Sequence, residues 1–202
     1  MPIIFDFCGT IYKGNTTLQF LKYLFSQLGR HYKVRYLLFS ILARAYLWVG
    51  GNGSGYMKIR VRCLRGIPIA KIQELARPYL ERMERTGALT SIFNIFAGLI
   101  ERKETCYILS GTLDSIAQAF RERHDSKGIA RIACSSLEVN EKGRSTGRYK
   151  TFMFDQGKVV HGIAAFGEQV MRNATYYTDN LAADKDVCAY VKKVIHVGVM
   201  TE

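Results

Sequence analysis

The sequence predicts an α/β fold with a mostly parallel central sheet and a helical insert after the first strand. Three observations carry this. Short apolar runs ending in an acid or in small polar residues recur along the chain: IIFDFCGT (Ile3 to Thr10), ETCYILSGT (Glu104 to Thr112) and ATYYTDN (Ala174 to Asn180). Between them lie stretches with apolar residues at helical spacing, and strands that alternate with helices assemble into a parallel sheet covered by those helices. Finally, 202 residues are enough for one good-sized domain carrying a smaller insert, with a core that needs no staples.

Taken in order, Pro2 to Phe7 is apolar and β-rich, which predicts a short buried strand ended by Cys8-Gly9-Thr10, where glycine permits a turn. In TTLQFLKYLFSQLG the residues Leu18, Leu21, Leu24, Phe25 and Leu28 share one helical face. Asn15 or Thr16 can cap the start and Gly29 can end it. A second helix is predicted over Arg35 to Val49, broken by GGNGSG at Gly50 to Gly55. Two more follow, Tyr56 to Leu64 and Ile69 to Met83, the latter after the turn Arg65-Gly66-Ile67-Pro68. Thr90 to Arg102 has a helical pattern, Glu104 to Thr112 a strand pattern, Leu113 to His124 a helical one, and Ile129 to Cys134 reads as a strand. SLEVNEKGRSTGRY alternates apolar and polar residues around Lys142-Gly143 as a hairpin does. A helix from Lys158 to Arg172, a strand delivering Asp179, and a short strand at Lys193 to Val197 complete the order. The expected division is a core of residues 1–12 and 88–202 with a helical cap of residues 13–87.

The net charge of +12 is unevenly spread: from Phe7 to Gln73 there are eleven Lys or Arg residues and no acid. Such a stretch suits an anionic partner, whether a phosphorylated metabolite, a membrane surface or nucleic acid. No nucleic-acid module is recognisable, so nucleic acid rests on charge alone and is not expected. The most hydrophobic segment, YLLFSILARAYLWV (Tyr36 to Val49), has fourteen residues with Arg44 inside, too few to span a bilayer. A buried helix is the expectation, and a helix lying on a membrane surface is the alternative. The five cysteines are scattered, with no CxxC pair and no His/Cys spacing suited to zinc, which reads as reduced thiols in a cytosolic protein. The N-terminus lacks the basic and apolar regions of a signal peptide, so the expected location is the cytoplasm.

In parallel sheets ligands sit at the carboxyl ends of the strands. Asp6, Ser110 and Asp179 each fall at such an end, so three distant stretches are expected to converge on one site. In the order and spacing of these motifs the chain resembles the haloacid dehalogenase superfamily of phosphatases, in its phosphoserine-phosphatase-like branch. The resemblance rests on hhhDxxGT at Ile3 to Thr10, hhSG at Ile108 to Gly111, the lysine of QGKV at Lys158, and DxxxxD from Asp179 to Asp184. The helical insert lies where this branch carries its cap.

The resemblance implies a Rossmann-like core and Mg2+-dependent phosphomonoester hydrolysis through an aspartyl-phosphate. Asp6 would be the nucleophile, a carboxylate that splits one hard hydrolysis into two easier steps. Ser110, the backbone N–H of Gly111 and Thr10 would hold the phosphoryl group. Lys158 would neutralise charge, with Lys150 its competitor. Asp6, Asp179 and the backbone carbonyl of Cys8 would bind Mg2+, a hard cation suited to oxygen ligands. Asp184 would be a further ligand or would orient the metal's waters, with Asp186 its rival. The cap would select the substrate: a small phosphorylated metabolite such as a sugar phosphate or phosphoserine, or a lipid or prenyl phosphate with peripheral membrane contact through the basic, apolar cap.

Two residues depart from the pattern. Cys8 stands where most phosphatases of this superfamily have a second aspartate, which protonates the leaving group and then activates water. Proton transfer of that kind is worth a factor of about 10² to 10⁴. A thiol has an unperturbed pKa near ~8.5, and the neighbouring Asp6 opposes its ionisation. Three readings stay open: a slow or specialised phosphatase that draws an acid from its cap or substrate, a phosphotransferase or phosphonatase-like variant, and a module that binds a phosphorylated ligand without efficient turnover. The second departure is Thr178, where glycine commonly precedes the aspartate.

Overall fold

Six strands form one sheet in the computed structural model, which describes residues 1–198. In chain order they are β1 (Ile3–Phe5), β2 (Tyr107–Leu113), β3 (Arg131–Val139), β4 (Ser145–Thr151), β5 (Thr175–Thr178) and β6 (Lys193–His196), and across the sheet they run β4-β3-β2-β1-β5-β6. All neighbours are parallel except β3 and β4, which make the expected hairpin at one edge. Central β1 places Phe5 opposite Ile108 of β2 and Tyr177 of β5. The strand order reverses at this point, so the carboxyl ends of β1, β2 and β5 open on one crevice. Ile4 and Phe5 are completely buried, which is why this strand is apolar throughout rather than alternating.

β1 is shorter than Pro2 to Phe7 because the chain turns at once. The Phe7 carbonyl accepts from the N–H groups of Ile11 at 3.1 Å and Tyr12 at 3.0 Å instead of from a strand. After this turn come α1 (Thr16–Gln27), α2 (Arg30–Trp48), α3 (Gly53–Val61) with a 3-10 turn at Arg62–Leu64, α4 (Ile69–Arg85) and α5 (Ile92–Glu101), all before β2. Asn15 caps α1, its side chain accepting from the Leu18 N–H at 3.0 Å. The Lys13 N–H donates to the Ala88 carbonyl at 2.7 Å, so the chain leaves and rejoins the sheet layer at one place. Buried side chains of α1 and α4, among them Phe20, Leu21 and Leu80, join Phe7 and Phe120 in one continuous cluster. The inserted helices therefore share the core of the sheet layer.

α6 (Asp114–His124) connects β2 to β3, while α7 (Gln156–Phe166), α8 (Glu168–Asn173) and α9 (Lys185–Tyr190) complete the chain. The single helix expected from Lys158 to Arg172 is two helices, broken at Gly167 with φ of 93°, a conformation that glycine adopts freely. α9 was not anticipated. The larger correction concerns α2, which starts at Arg30 and is not a buried helix: Ala43 alone is fully buried, and Val34, Leu37, Leu38, Ile41, Leu42 and Trp48 are exposed. Only its side bearing Tyr32, Tyr36 and Phe39 packs against the core. Among the described residues no helix is long and apolar enough to cross a membrane.

Candidate active site

β1 ends by delivering Asp6, whose N–H donates to the Tyr177 carbonyl at 2.9 Å. The carboxylate is buried, and its Oδ1 accepts from Lys158 Nζ at 3.1 Å. Lys158 comes from the first turn of α7, and its ammonium also donates to Tyr176 Oη at 2.8 Å and to Asp184 Oδ1 at 2.6 Å. Those three bonds exhaust its donors. Asp184 Oδ2 accepts from Tyr176 Oη at 2.8 Å and from Thr178 Oγ1 at 2.6 Å. Tyr176 and Thr178 are two apart on β5, so both side chains reach the same face. The result is a closed buried network, the condition under which buried charges are tolerated.

Electrostatics follow from this packing. Burial alone would depress Lys158, but Asp6 and Asp184 outweigh it and hold the ammonium above the usual lysine range. Burial, with the charge of Asp184 adding to it and Lys158 opposing, raises Asp6 to about 6. Asp179 is raised too, by burial and then by Asp184.

Cys8 meets a different environment. Its Sγ lies 2.9 Å from Thr16 Oγ1, which lies 2.9 Å from Thr112 Oγ1, and the Thr16 carbonyl accepts from Tyr79 Oη at 2.9 Å. The thiol is thus tied to the first residue of the insert's first helix. Burial, and then the charge of Asp6, push Cys8 up, which keeps it a neutral thiol. Ser110 is fully buried, its Oγ accepting from the Thr112 N–H at 3.3 Å and lying 3.9 Å from Cys8 Sγ. At Gly111 a Cβ would fall 2.7 Å from the Phe154 ring, so a side chain there requires that ring to move.

The loop after β5 is held by the loop after β1. Thr10 Oγ1 accepts from the Asp179 N–H at 3.1 Å and approaches Asp179 Oδ1 at 3.4 Å. At Gly9, where φ is 79°, a Cβ would fall 1.9 Å from Asp179 Oδ2. Both the conformation and the close approach require glycine.

Asp6, Cys8, Ser110, Gly111, Lys158, Asp179 and Asp184 all line one recess of about 310 Å³, bounded on the insert side by Asn15 and Thr17. Thr10 does not line it and is spent on Asp179. Of the rivals, Lys150 is exposed and Asp186 lies outside the recess. Three carboxylates share this recess with one ammonium, an imbalance that a divalent cation relieves. No side-chain hydrogen bond reaches Asp6 Oδ2 among the described residues, whereas both oxygens of Asp184 are engaged. Asp6 and Asp179 therefore fit a hard cation such as Mg2+, with the Cys8 carbonyl and water as further oxygen donors. Among the described residues no cluster of three or more His, Cys, Asp or Glu side chains is arranged to hold a metal.

Sequence reasoning did not anticipate Tyr176, Thr16 or Thr112, and met Thr178 only as a departure from a pattern. The two-residue spacing of Tyr176 and Thr178 before Asp179 was a usable strand signal. Thr16 and Thr112 are 96 residues apart, and nothing local pairs them.

The family model for haloacid dehalogenase-like hydrolases matches residues 3–184. No curated protein matches this chain by sequence. Among solved structures, a protein of unknown function from Bordetella pertussis Tohama I superposes with a TM-score of 0.73 at 16% identity, covering 96% of this chain and 88% of that one. A substrate-bound phosphoserine phosphatase gives 0.60 at 17% identity, covering 96% and 84%. The putative HAD-hydrolase YfnB from Bacillus subtilis, bound to magnesium, gives 0.52 at 14% identity, covering 100% and 90%. At these identities the likenesses establish the fold.

Proposed function

Because the chain belongs to the haloacid dehalogenase-like hydrolases, we propose that it hydrolyses phosphomonoesters through Asp6, in two steps of which the second is slow. The observation that carries this reading is Lys158, buried and bonded at once to Asp6 and Asp184 at the base of the recess.

In the first step the Asp6 carboxylate attacks phosphorus, the bond from phosphorus to the ester oxygen breaks, and the departing alkoxide takes a proton. An aspartyl-phosphate remains. Lys158 neutralises charge on the carboxylate and on the phosphoryl oxygens, while Ser110 Oγ–H and the Gly111 N–H, which line the recess, would hold those oxygens. Phosphoryl transfer depends chiefly on such positioning and neutralisation. Asp184 acts through Lys158, fixing the ammonium by a 2.6 Å bond, and is a positioning residue. Mg2+ bound by Asp6, Asp179 and the Cys8 carbonyl would supply further neutralisation of the phosphoryl charge.

In the second step water attacks the same phosphorus, releasing inorganic phosphate and regenerating Asp6. That water must lose a proton to bulk water or to the departing phosphate, because the neutral Cys8 thiol cannot accept one. The same thiol, tied to Thr16, is a weak donor to a leaving alkoxide. This supports slow turnover that favours substrates with good leaving groups or their own acidic proton. It equally favours, as a second reading, a protein that binds a phosphorylated ligand without turnover.

The test uses the purified protein with Mg2+ and a panel of p-nitrophenyl phosphate, phosphoserine, sugar phosphates and a lysophosphatidic acid. Wild type is expected to release phosphate and Asp6→Asn to release none. An Asp6→Asn protein as fast as wild type removes Asp6 as nucleophile. An idle wild type, with activity that appears in Cys8→Asp and vanishes again in the double variant with Asp6→Asn, assigns the protein to ligand binding.

A further inference from the structure

α2 presents an apolar stripe to solvent. Val34, Leu37, Leu38, Ile41 and Trp48 are exposed, Trp48 at 90%. With about 100° between successive residues they fall on one side of the helix, opposite the buried Ala43. Cations border the stripe: Lys33 and Arg44 lie along one edge and Arg30 stands at its head, all exposed, and the helix contains no acid. Nor does any residue from Phe7 to Gln73 supply one. A contiguous apolar patch rimmed by charge marks a surface that something covers.

The charge selects the cover. A second copy of the chain would bring the same cations to the same stripe, and like charges across an interface oppose association. Anionic headgroups beside acyl chains satisfy both halves of the surface, the hallmark of a helix that lies in a bilayer interface. We propose that α2 seats the protein on an anionic lipid bilayer, its axis in the membrane plane and its stripe at the depth of the headgroups. The helix lies on the surface rather than through it. Beyond Val49 the chain runs through Gly50 and Gly51 into Asn52, Gly53 and Ser54, which line a recess that shares Asn15, Phe154 and Asn180 with the candidate active site. Seating α2 therefore brings the insert's wall of that site toward the lipid surface.

Trp48 is the single tryptophan of the chain, so its emission reports on this surface alone. The experiment mixes the whole protein with vesicles of phosphatidylcholine alone or of phosphatidylcholine with phosphatidylglycerol, reading co-flotation and the emission maximum. Neither lipid is a phosphomonoester, so the outcome is separate from that of the phosphatase assay. The expectation is flotation and a blue shift with phosphatidylglycerol, at least about tenfold weaker binding to phosphatidylcholine, and loss of both signals in a Leu38→Glu/Ile41→Glu variant. Circular dichroism of that variant should match wild type, because both residues are exposed. Three results would overturn the proposal: no flotation of wild type on phosphatidylglycerol vesicles, equal flotation of the double variant, or a wild-type dimer by light scattering that the double variant renders monomeric, which gives the stripe to a second copy.

Discussion

Asp6 has two neighbours of opposite kind. On one side Lys158 is charged, buried and fixed by three bonds to Asp6, Tyr176 and Asp184. On the other, Cys8 is a neutral thiol tethered to the hydroxyl of Thr16. In the proposed mechanism the first neighbour offsets charge during attack on phosphorus, and the second leaves the proton transfers of both half-reactions without a strong acid or base. On that reading one carboxylate sits between a finished half-site and a depleted one, and phosphoryl capture and phosphoryl release come apart as separate properties.

The comparison is sharpened most by Cys8→Asp. A carboxyl group there restores acid and base to the depleted side, and steady-state turnover is expected to rise by about 10² to 10⁴, with any pre-steady-state burst of leaving group disappearing. Lys158→Met attacks the finished side. It should lower turnover by about 10² to 10³ and, by leaving Asp6 and Asp184 buried beside no cation, destabilise the fold by about 3–5 kcal/mol in denaturant unfolding. Tyr176→Phe takes one hydroxyl from the same network. A cost of about 1 kcal/mol and a loss of turnover below about tenfold are expected, because Lys158 keeps both carboxylates.

A further signal is in pH. Burial raises Asp6 from 3.8 to about 6, so between those values the folded chain keeps a proton that the unfolded chain has released. Stability from this residue is therefore highest below the lower value, and falls as pH rises toward the upper. Thermal melts of the metal-free protein, taken relative to Asp6→Asn, should lose ground across that window and level off above it. Added Mg2+ should recover the loss at neutral pH in wild type and not in Asp6→Asn.

Much of the finished side was legible in the chain. Three apolar runs each deliver a polar residue toward the carboxyl end of a strand, although β2 continues past Ser110 to Leu113 where an end was expected, and parallel pairing brings Asp6, Ser110 and Asp179 to one crevice. Lys158 and Asp184 were named over Lys150 and Asp186 by resemblance, and the burial of that pair favours the same choice. What surrounds Cys8 was not legible: Thr16, the first residue of α1, reaches the thiol, and Thr112 on β2 bonds Thr16 in turn. Such contacts belong to the assembled fold, not to any local pattern. The exposure of α2 stood only as the alternative to a buried helix for a related reason, since an apolar segment looks the same to a reader of sequence whichever way it faces.

Phosphoryl transfer through Asp6 should pause at the aspartyl-phosphate long enough to be caught. The most direct measurement mixes wild type with Mg2+ and p-nitrophenyl phosphate, quenches with acid in the steady state, and locates phosphate by peptide mass spectrometry. Phosphate is expected on Asp6 in a substantial fraction of wild-type molecules and in far fewer Cys8→Asp molecules, where release should be fast. Steady turnover with no phosphate on Asp6, or phosphate carried by another residue, would contradict it.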